Sequence, residues 1–338
     1  MDLEFLKQRA FIIQSLREFF IEKNFLELDT GALATNLIPE TCLEVFKTEY
    51  IEPWKNESHE LYLVPSPEIH IKPIIARHKI DVFQLSKCYR NVESIGKNHA
   101  SEFTMLEYYK MKANYIDSLE LTEELFEYLG KKLSKIGIAL KDDLKPPFTK
   151  LSINDAFKQY CNFALFEDDT QISTQKLAEQ GRKLGIYEPS ENDFSKWNWE
   201  ELYNAIFVQF VEPNLPKDKC VFLMNYPREV RCLAQNNDKH TKERWELYGR
   251  GIELANCYSE ETDAKLVREY FEIEGKEKDE NARVKHEIDK DYWKNFAPES
   301  EGGYTKDGFP KCSGTAMGVD RLIMLLLEKS DISLVACD

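Results

Sequence analysis

Residues 244–263 read RWELYGRGIELANCYSEETD, and this stretch constrains the fold more than any other. Trp245, Leu247, Ile252 and Leu254 are strand-like, and Gly249-Arg250-Gly251 interrupts them. Glycine tolerates positive φ, so a Gly-X pair suits a two-residue hairpin turn. A turn at Gly249-Arg250 pairs Tyr248 with Gly251, Leu247 with Ile252 and Glu246 with Glu253. Two carboxylates would then stand directly opposite each other, which is destabilising by itself. A bridging hard cation such as Mg²⁺ reverses the sign, and its natural load is a substrate phosphate. The plainer reading is a solvated acidic hairpin, and the rest of the chain has to decide between the two.

The chain has 338 residues, enough for one large domain or two smaller ones. At 42% hydrophobic and 12% aromatic residues it is too apolar to stay disordered. No apolar run approaches the length of a membrane span, and the charged N-terminus lacks the layout of a signal peptide. The eight cysteines are scattered without a CxxC. That argues against a structural zinc site and fits reduced thiols, so a cytoplasmic protein is expected. A net charge of −15 disfavours broad nucleic-acid binding.

Apolar spacings of three and four over residues 3–23 predict an amphipathic helix, followed by a short strand at 25–28. Strands are expected at 43–51 and 60–64. Pro65-Ser66-Pro67-Glu68 then opens a helix over 69–77, where Glu68 is a helix N-terminal acid or faces a substrate amine. Residues 81–90 and 102–110 read as an antiparallel pair joined by a loop long enough to suggest function. Arg90 ends the first strand, and with Lys97 and His99 it could grip a phosphate. Phe103 could stack on a base. A helix is expected over 114–137, a proline-containing connector over 141–150, and a mainly helical region over 150–217 in which Trp197 and Trp199 pack. Residues 219–226 read as a buried strand. SGTAMGVDRLIMLLL (313–327) runs from a small-residue strand into an apolar helix. Arg321, in that helix's first turn, invites an anion, either Asp320 or a triphosphate.

These pieces occur together in one family in this order. The chain resembles the catalytic domain of class II aminoacyl-tRNA synthetases, within them the lysyl branch, over nearly its whole length. Its three motifs are a helix–strand (3–31), an arginine-bearing strand–loop–strand (82–110) and a glycine-rich strand into a helix with arginine (313–327). VFQLSKCYRN, EFTMLEYY, GIELAN and CSGTAMGVDRL are similar to the truncated lysyl-synthetase paralogues that modify elongation factor P. Ala316 stands where those paralogues have alanine and lysyl-tRNA synthetases have glycine.

The resemblance implies an α+β fold, a mainly antiparallel sheet flanked by helices. It implies one catalytic domain over 1–338 without an anticodon-binding domain, with 114–217 as a helical connecting region inside it. ATP and Mg²⁺ would serve to activate lysine or (R)-β-lysine, elongation factor P would be the acceptor rather than tRNA, and a homodimer would form. Carried over by position, Arg90 would hold the α-phosphate, His99 and Arg321 the outer phosphates, and Phe103 would stack on adenine. Glu246 and Glu253 would bind Mg²⁺. Glu68 would meet the backbone-type amine and Glu260 the side-chain ammonium, with Asn256, Tyr258 and Ala316 shaping the pocket. Aminoacylation of tRNA or a small amine, and a non-catalytic binding module, are the alternatives.

Four departures stand out: Gly31 for the first motif's proline, Arg90-Asn91-Val92-Glu93 for Arg-x-Glu, Asn256-Cys257 for Asn-Gly, and Lys311 for an acid. Strict alternation puts Glu253 and Glu260 on opposite faces, so a bulge near Cys257 is expected.

Overall fold

The computed structural model describes residues 2–335 except 56, 94, 95, 169 and 187–193. Helix α1 (Leu3–Glu22) is capped by Asp2, whose carboxylate accepts from the Phe5 N–H at 2.7 Å. Then come β1 (Leu26–Glu27), β2 (Leu33–Ala34), β3 (Phe46–Ile51), β4 (Ser58–Leu63), α2 (Glu68–His78), β5 (Val82–Tyr89), β6 (Glu102–Met111) and α3 (Tyr115–Ser134). The middle of the chain holds β7 (Thr149–Ser152), α4 (Ile153–Cys161), β8 (Phe166–Glu167), β9 (Thr170–Gln171), α5 (Thr174–Leu184) and α6 (Trp199–Ile206). The last third holds β10 (Val221–Met224), β11 (Arg244–Gly249), β12 (Ile252–Ser259), α7 (Ala264–Asn281), β13 (Cys312–Gly318) and α8 (Val319–Leu326).

Eight strands form one sheet in the order β1-β5-β6-β13-β12-β11-β10-β7. The six central strands pair antiparallel, and the short β1 and β7 add parallel edges. The α+β fold expected from the sequence is present. Strand β7 falls where a connector was expected; four residues are too few to show an alternating pattern.

Register sorts the sheet into two unlike faces, because directly paired residues point the same way. Phe83, Leu106, Tyr108, Met317, Cys257, Trp245 and Leu247 fall on one face and join the main core under α1, α3 and α8. Fully burying one such large apolar side chain contributes about 1.5–3 kcal/mol, so this face holds the sheet. The other face carries Arg90, Phe103, Glu107, Ala316, Glu253, Asn256, Tyr258 and Glu246. A second apolar cluster joins α4, α5 and α6 to β10, and Trp199 lies in it with Trp197 packed alongside. A third joins α2, α7 and the small β2-β4-β3 sheet on the polar face's side.

The hairpin at the centre of the sheet differs from its expected register. The turn is Arg250-Gly251, both at positive φ (53° and 77°), and Gly249 belongs to β11 opposite Ile252. A turn with two positive-φ residues matches strand twist, and glycine suits its second position. Gly249 instead packs tightly: a Cβ there would lie 3.0 Å from Leu254 and 3.0 Å from Leu325. Asp143 holds Arg250 in its left-handed conformation by two bonds, of 2.5 and 3.1 Å.

Glu246 is therefore paired with Asn256, and Glu253 with Tyr248; the two acids are not opposite each other. The register slips between Leu247 and Tyr248, leaving Leu254 as the extra residue of a bulge. That bulge does what a bulge at Cys257 was expected to do, three residues earlier. It brings Glu253 onto the same face as Asn256 and Tyr258, and leaves Cys257 in regular strand with its side chain in the core.

Candidate active site

The polar face of the sheet is the wall of a cavity of about 630 Å³. Arg90, His99, Phe103, Glu246, Glu253, Arg321, Glu68, Asn256, Tyr258 and Ala316 all line it. Glu260 does not; it is 2% exposed and packs against Gly314.

One end of the cavity is cationic. Arg90 follows β5, its backbone N–H tied to Ser101 O at 2.9 Å. Its guanidinium stacks over Phe103 at 5.1 Å, and its buried Nε has no hydrogen-bond partner among the described residues. An unpartnered buried donor on a fixed cation is costly until an anion arrives. Arg321 donates to Asn98 O at 3.0 Å and Glu253 O at 2.9 Å, and lies 3.5 Å from the Glu253 carboxylate. Asp320 is not its partner: it is held by Arg9 at 2.7 Å and the Thr104 N–H at 2.6 Å. His99 sits 3.9 Å from Glu93. Burial and the nearby Arg321 charge lower its pKa.

The extra residue in Arg90-Asn91-Val92-Glu93 is accommodated locally. Val92 adopts φ 52°, a left-handed conformation that costs a β-branched residue energy. Its N–H bonds to the Asn91 side chain at 2.9 Å, and Glu93, displaced by one in sequence, still lines the cavity.

Between the two ends stand the carboxylates of the hairpin. Glu246 accepts from Arg244 at 2.6 Å, Tyr226 Oη at 2.5 Å and Tyr248 Oη at 2.8 Å. Arg244 is itself clasped by the rings of Tyr226 (4.3 Å) and Tyr258 (5.6 Å). Glu253 faces the cavity with its side chain 39% exposed. Enclosure and the charge of Glu246 raise its pKa.

The far end is acidic. Glu68 opens α2 and Lys72 follows one turn later, a spacing that places both on one side of the helix. Lys72, 1% exposed, contacts Glu68 and lies 2.8 Å from Glu260. Burial opposes its charge, but Glu260 and Glu68 outweigh that and raise its pKa. Glu107, 2% exposed, accepts from Ser66 Oγ at 2.9 Å and Tyr109 Oη at 2.5 Å. Burial and Glu68 push its carboxyl up to about 8. Burial likewise raises Glu260, despite Lys72 beside it. Two carboxylates thus contact one ammonium, and a third acid, Glu107, lies within range of its charge. Such a deficit of positive charge in a buried site calls for a cationic ligand.

Glycine in β13 serves this cluster. A Cβ at Gly314 would fall 2.2 Å from Glu260 Oε1 and 2.4 Å from Tyr109 Cε1. It is a protein carboxylate, not a ligand, that needs the bare backbone here. Ala316 lies between Glu107 and Asn256 in the sheet, where its methyl trims the cavity.

Sequence reasoning missed Lys72, Glu107, Tyr109, Arg244 and Glu40. The signal for Glu107 was present: an acid in the middle of the apolar strand EFTMLEYY. For Lys72 it was the four-residue spacing from Glu68. Nothing in the sequence pointed to Glu40 or to the clasp on Arg244.

A protein family described as class II tRNA synthetases (D, K and N) matches residues 3–337. The chain is similar to proteins named elongation factor P–(R)-β-lysine ligase. It is 32% identical to the one from Pectobacterium atrosepticum over 97% of this chain and 92% of that protein. It is 32% identical to that of Avibacterium paragallinarum over 98% and 94%. Against that of Salmonella paratyphi B the figures are 32%, 97% and 92%.

Proposed function

Because the chain belongs to the family of class II tRNA synthetases of the D, K and N type, we propose that it activates lysine or (R)-β-lysine with ATP and transfers the acyl group to a lysine side chain of elongation factor P. That amino acid and that acceptor are the ones in the names of its relatives. The observation that carries the reading is the acidic end of the cavity. Glu68 lines the cavity, and the buried Glu107 and Glu260 stand behind it with raised pKa values, carboxyls that an arriving ammonium would ionise.

In the first step a carboxylate oxygen of the amino acid attacks the α-phosphorus of ATP and pyrophosphate leaves. Positioning and charge neutralisation drive such transfers. Arg90, with its free Nε, holds the α-phosphate, and His99 and Arg321 take the outer phosphates. Phe103, already stacked on Arg90, offers a face to adenine. Glu68 meets the amine near the carboxylate. Asn256 and Tyr258, joined at 3.1 Å, wall the pocket for the side-chain ammonium, whose charge the buried Glu260 and Glu107 would offset from behind the cavity wall.

Glu246 and Glu253 would be the residues to hold Mg²⁺, with Glu246 exchanging part of its bonding to Arg244, Tyr226 and Tyr248 for the ion. Among the described residues no group of three or more His, Cys, Asp or Glu is arranged to hold a metal. Mg²⁺, however, is commonly bound by one or two carboxylates plus phosphates and waters. When bound it would offset phosphate charge. Burial and then the charge of Glu246 raise the pKa of Glu253, and such an ion would offset both.

A homodimer suits the exposed apolar residues Leu3, Leu6, Ile21 and Leu26, all in the first motif, and Leu33 just after it. ATP–pyrophosphate exchange across amino acids tests the first step. Exchange with lysine or β-lysine and not with monoamino acids is the expected result; exchange with none would contradict it.

A further inference from the structure

An amide cannot form until the acceptor amine has lost a proton, because a lysine side chain has a pKa of roughly 10.4. None of the residues assigned above does this. Among the carboxylates on the cavity wall without a role so far, one stands next to the proposed amine and phosphate sites. Glu40 lies in the turn between β2 and β3 and lines the cavity with Glu68 and Arg90.

The turn is fixed from both sides. Leu43 N–H bonds to Glu40 O at 3.2 Å, and Lys278 of α7 donates to the same oxygen at 2.9 Å and to Leu43 O. Thr41 N–H bonds to Glu274 of α7 at 3.3 Å. The side chain is left without such ties: among the described residues, no donor hydrogen-bonds the Glu40 carboxylate. It is a positioned acceptor with its lone pairs open to the cavity.

We propose that Glu40 is the general base of the transfer step, taking the proton from the acceptor lysine as that amine enters the cavity. The proposal rests on the ligase reading above. The acceptor ammonium gives one proton to the Glu40 carboxylate, and the freed amine attacks the adenylate carbonyl carbon. The bond from that carbon to the AMP oxygen then breaks, its electron pair leaving with AMP. The second amine proton goes to the departing phosphate, leaving amide, AMP and protonated Glu40. The cavity mouth returns the last proton to solvent.

The surroundings of Glu40 suit the task. Glu68 and Lys72 face it from α2, Arg90 from the end of β5 and Lys278 from α7. The Tyr258 and Tyr270 hydroxyls and the Cys42 thiol are its other titratable neighbours. Burial and then the charge of Glu68 push its carboxyl up to about 7. A base works best with a pKa near the operating pH. A substrate ammonium at Glu68 cancels that repulsion, so Glu40 ionises as the pocket fills.

The test is Glu40→Gln, which keeps shape and removes the base. Three rates are compared with those of the unaltered enzyme: amino-acid-dependent pyrophosphate exchange, single-turnover transfer to elongation factor P, and discharge of the adenylate by hydroxylamine, an amine already uncharged at neutral pH. The expected result is unchanged exchange and hydroxylamine discharge, with transfer slowed roughly 10²–10⁴-fold and its acid limb lost from the pH profile. Unchanged exchange also shows that the variant is folded. Undiminished transfer would overturn the role of Glu40 alone. Lost exchange with a raised amino-acid KM would overturn it in favour of an ammonium anchor. Absence of exchange in the unaltered enzyme would overturn the ligase reading, and Glu40's role with it.

Discussion

Glu107 and Glu260 are buried acids whose pKa values are raised, Glu107 to about 8. Their folded pKa lies above the unfolded value, so the native state binds more protons than the unfolded chain between them. Without ligand, the stability they contribute is present at low pH and is lost as pH rises through the folded pKa. An ammonium in the pocket reverses this by favouring the charged carboxylates. Lysine binding at pH 7 should therefore release protons, and affinity should rise from pH 6 to pH 8.5. Calorimetry in buffers of different ionisation enthalpy measures both; a proton count of zero would refute the assignment. Lys72 makes a second prediction. Lys72→Met leaves Glu68 and Glu260 uncompensated, and breaking a buried pair costs about 3–5 kcal/mol. Denaturant unfolding should show that loss at pH 8 and a smaller one at pH 6, where Glu260 takes up a proton.

At the level of elements, the site is made by register. Strand β13 brings Gly314 under Glu260 and Ala316 between Glu107 and Asn256. Gly314→Ala has no room for its methyl, so it should raise the KM for lysine at least tenfold, by displacing Glu260, while the KM for ATP changes little. Steady-state exchange kinetics separate the two. The helices and most strands were legible because their apolar periodicities are strong. The hairpin register was not. Turn chemistry allowed Gly249-Arg250 or Arg250-Gly251, and only the packing of Gly249 against Leu254 and Leu325 selects the second. The bulge at Leu254 is a consequence of that packing and of the sheet's two neighbours, which a single strand's pattern cannot display. Arg90, Phe103 and Ala316, which line the cavity, were singled out through the motifs they sit in, whereas Glu107 and Tyr109 of β6 were not. Arg244 and Glu40 became visible only through what they touch or face.

Across the whole molecule, one sheet separates two tasks. Its apolar face is anchored by α1, α3 and α8, and its polar face runs from the cationic end at Arg90 and Arg321 towards the acids around Lys72. The exposed apolar side chains of the first motif, Ile21 (55%) and Leu26 (51%) among them, give the molecule a second surface of consequence. Replacing Ile21 and Leu26 by glutamate should convert the expected dimer to a monomer in sedimentation; a monomer before the change would contradict the dimer. The central claim, that this cavity joins a diamino acid to a protein lysine, is tested most directly by the intact mass of elongation factor P after incubation with the enzyme, ATP, Mg²⁺ and lysine or (R)-β-lysine. The account predicts a gain of one lysyl or β-lysyl residue, dependent on ATP and absent when the acceptor lysine is replaced. An unchanged mass with either amino acid would contradict it.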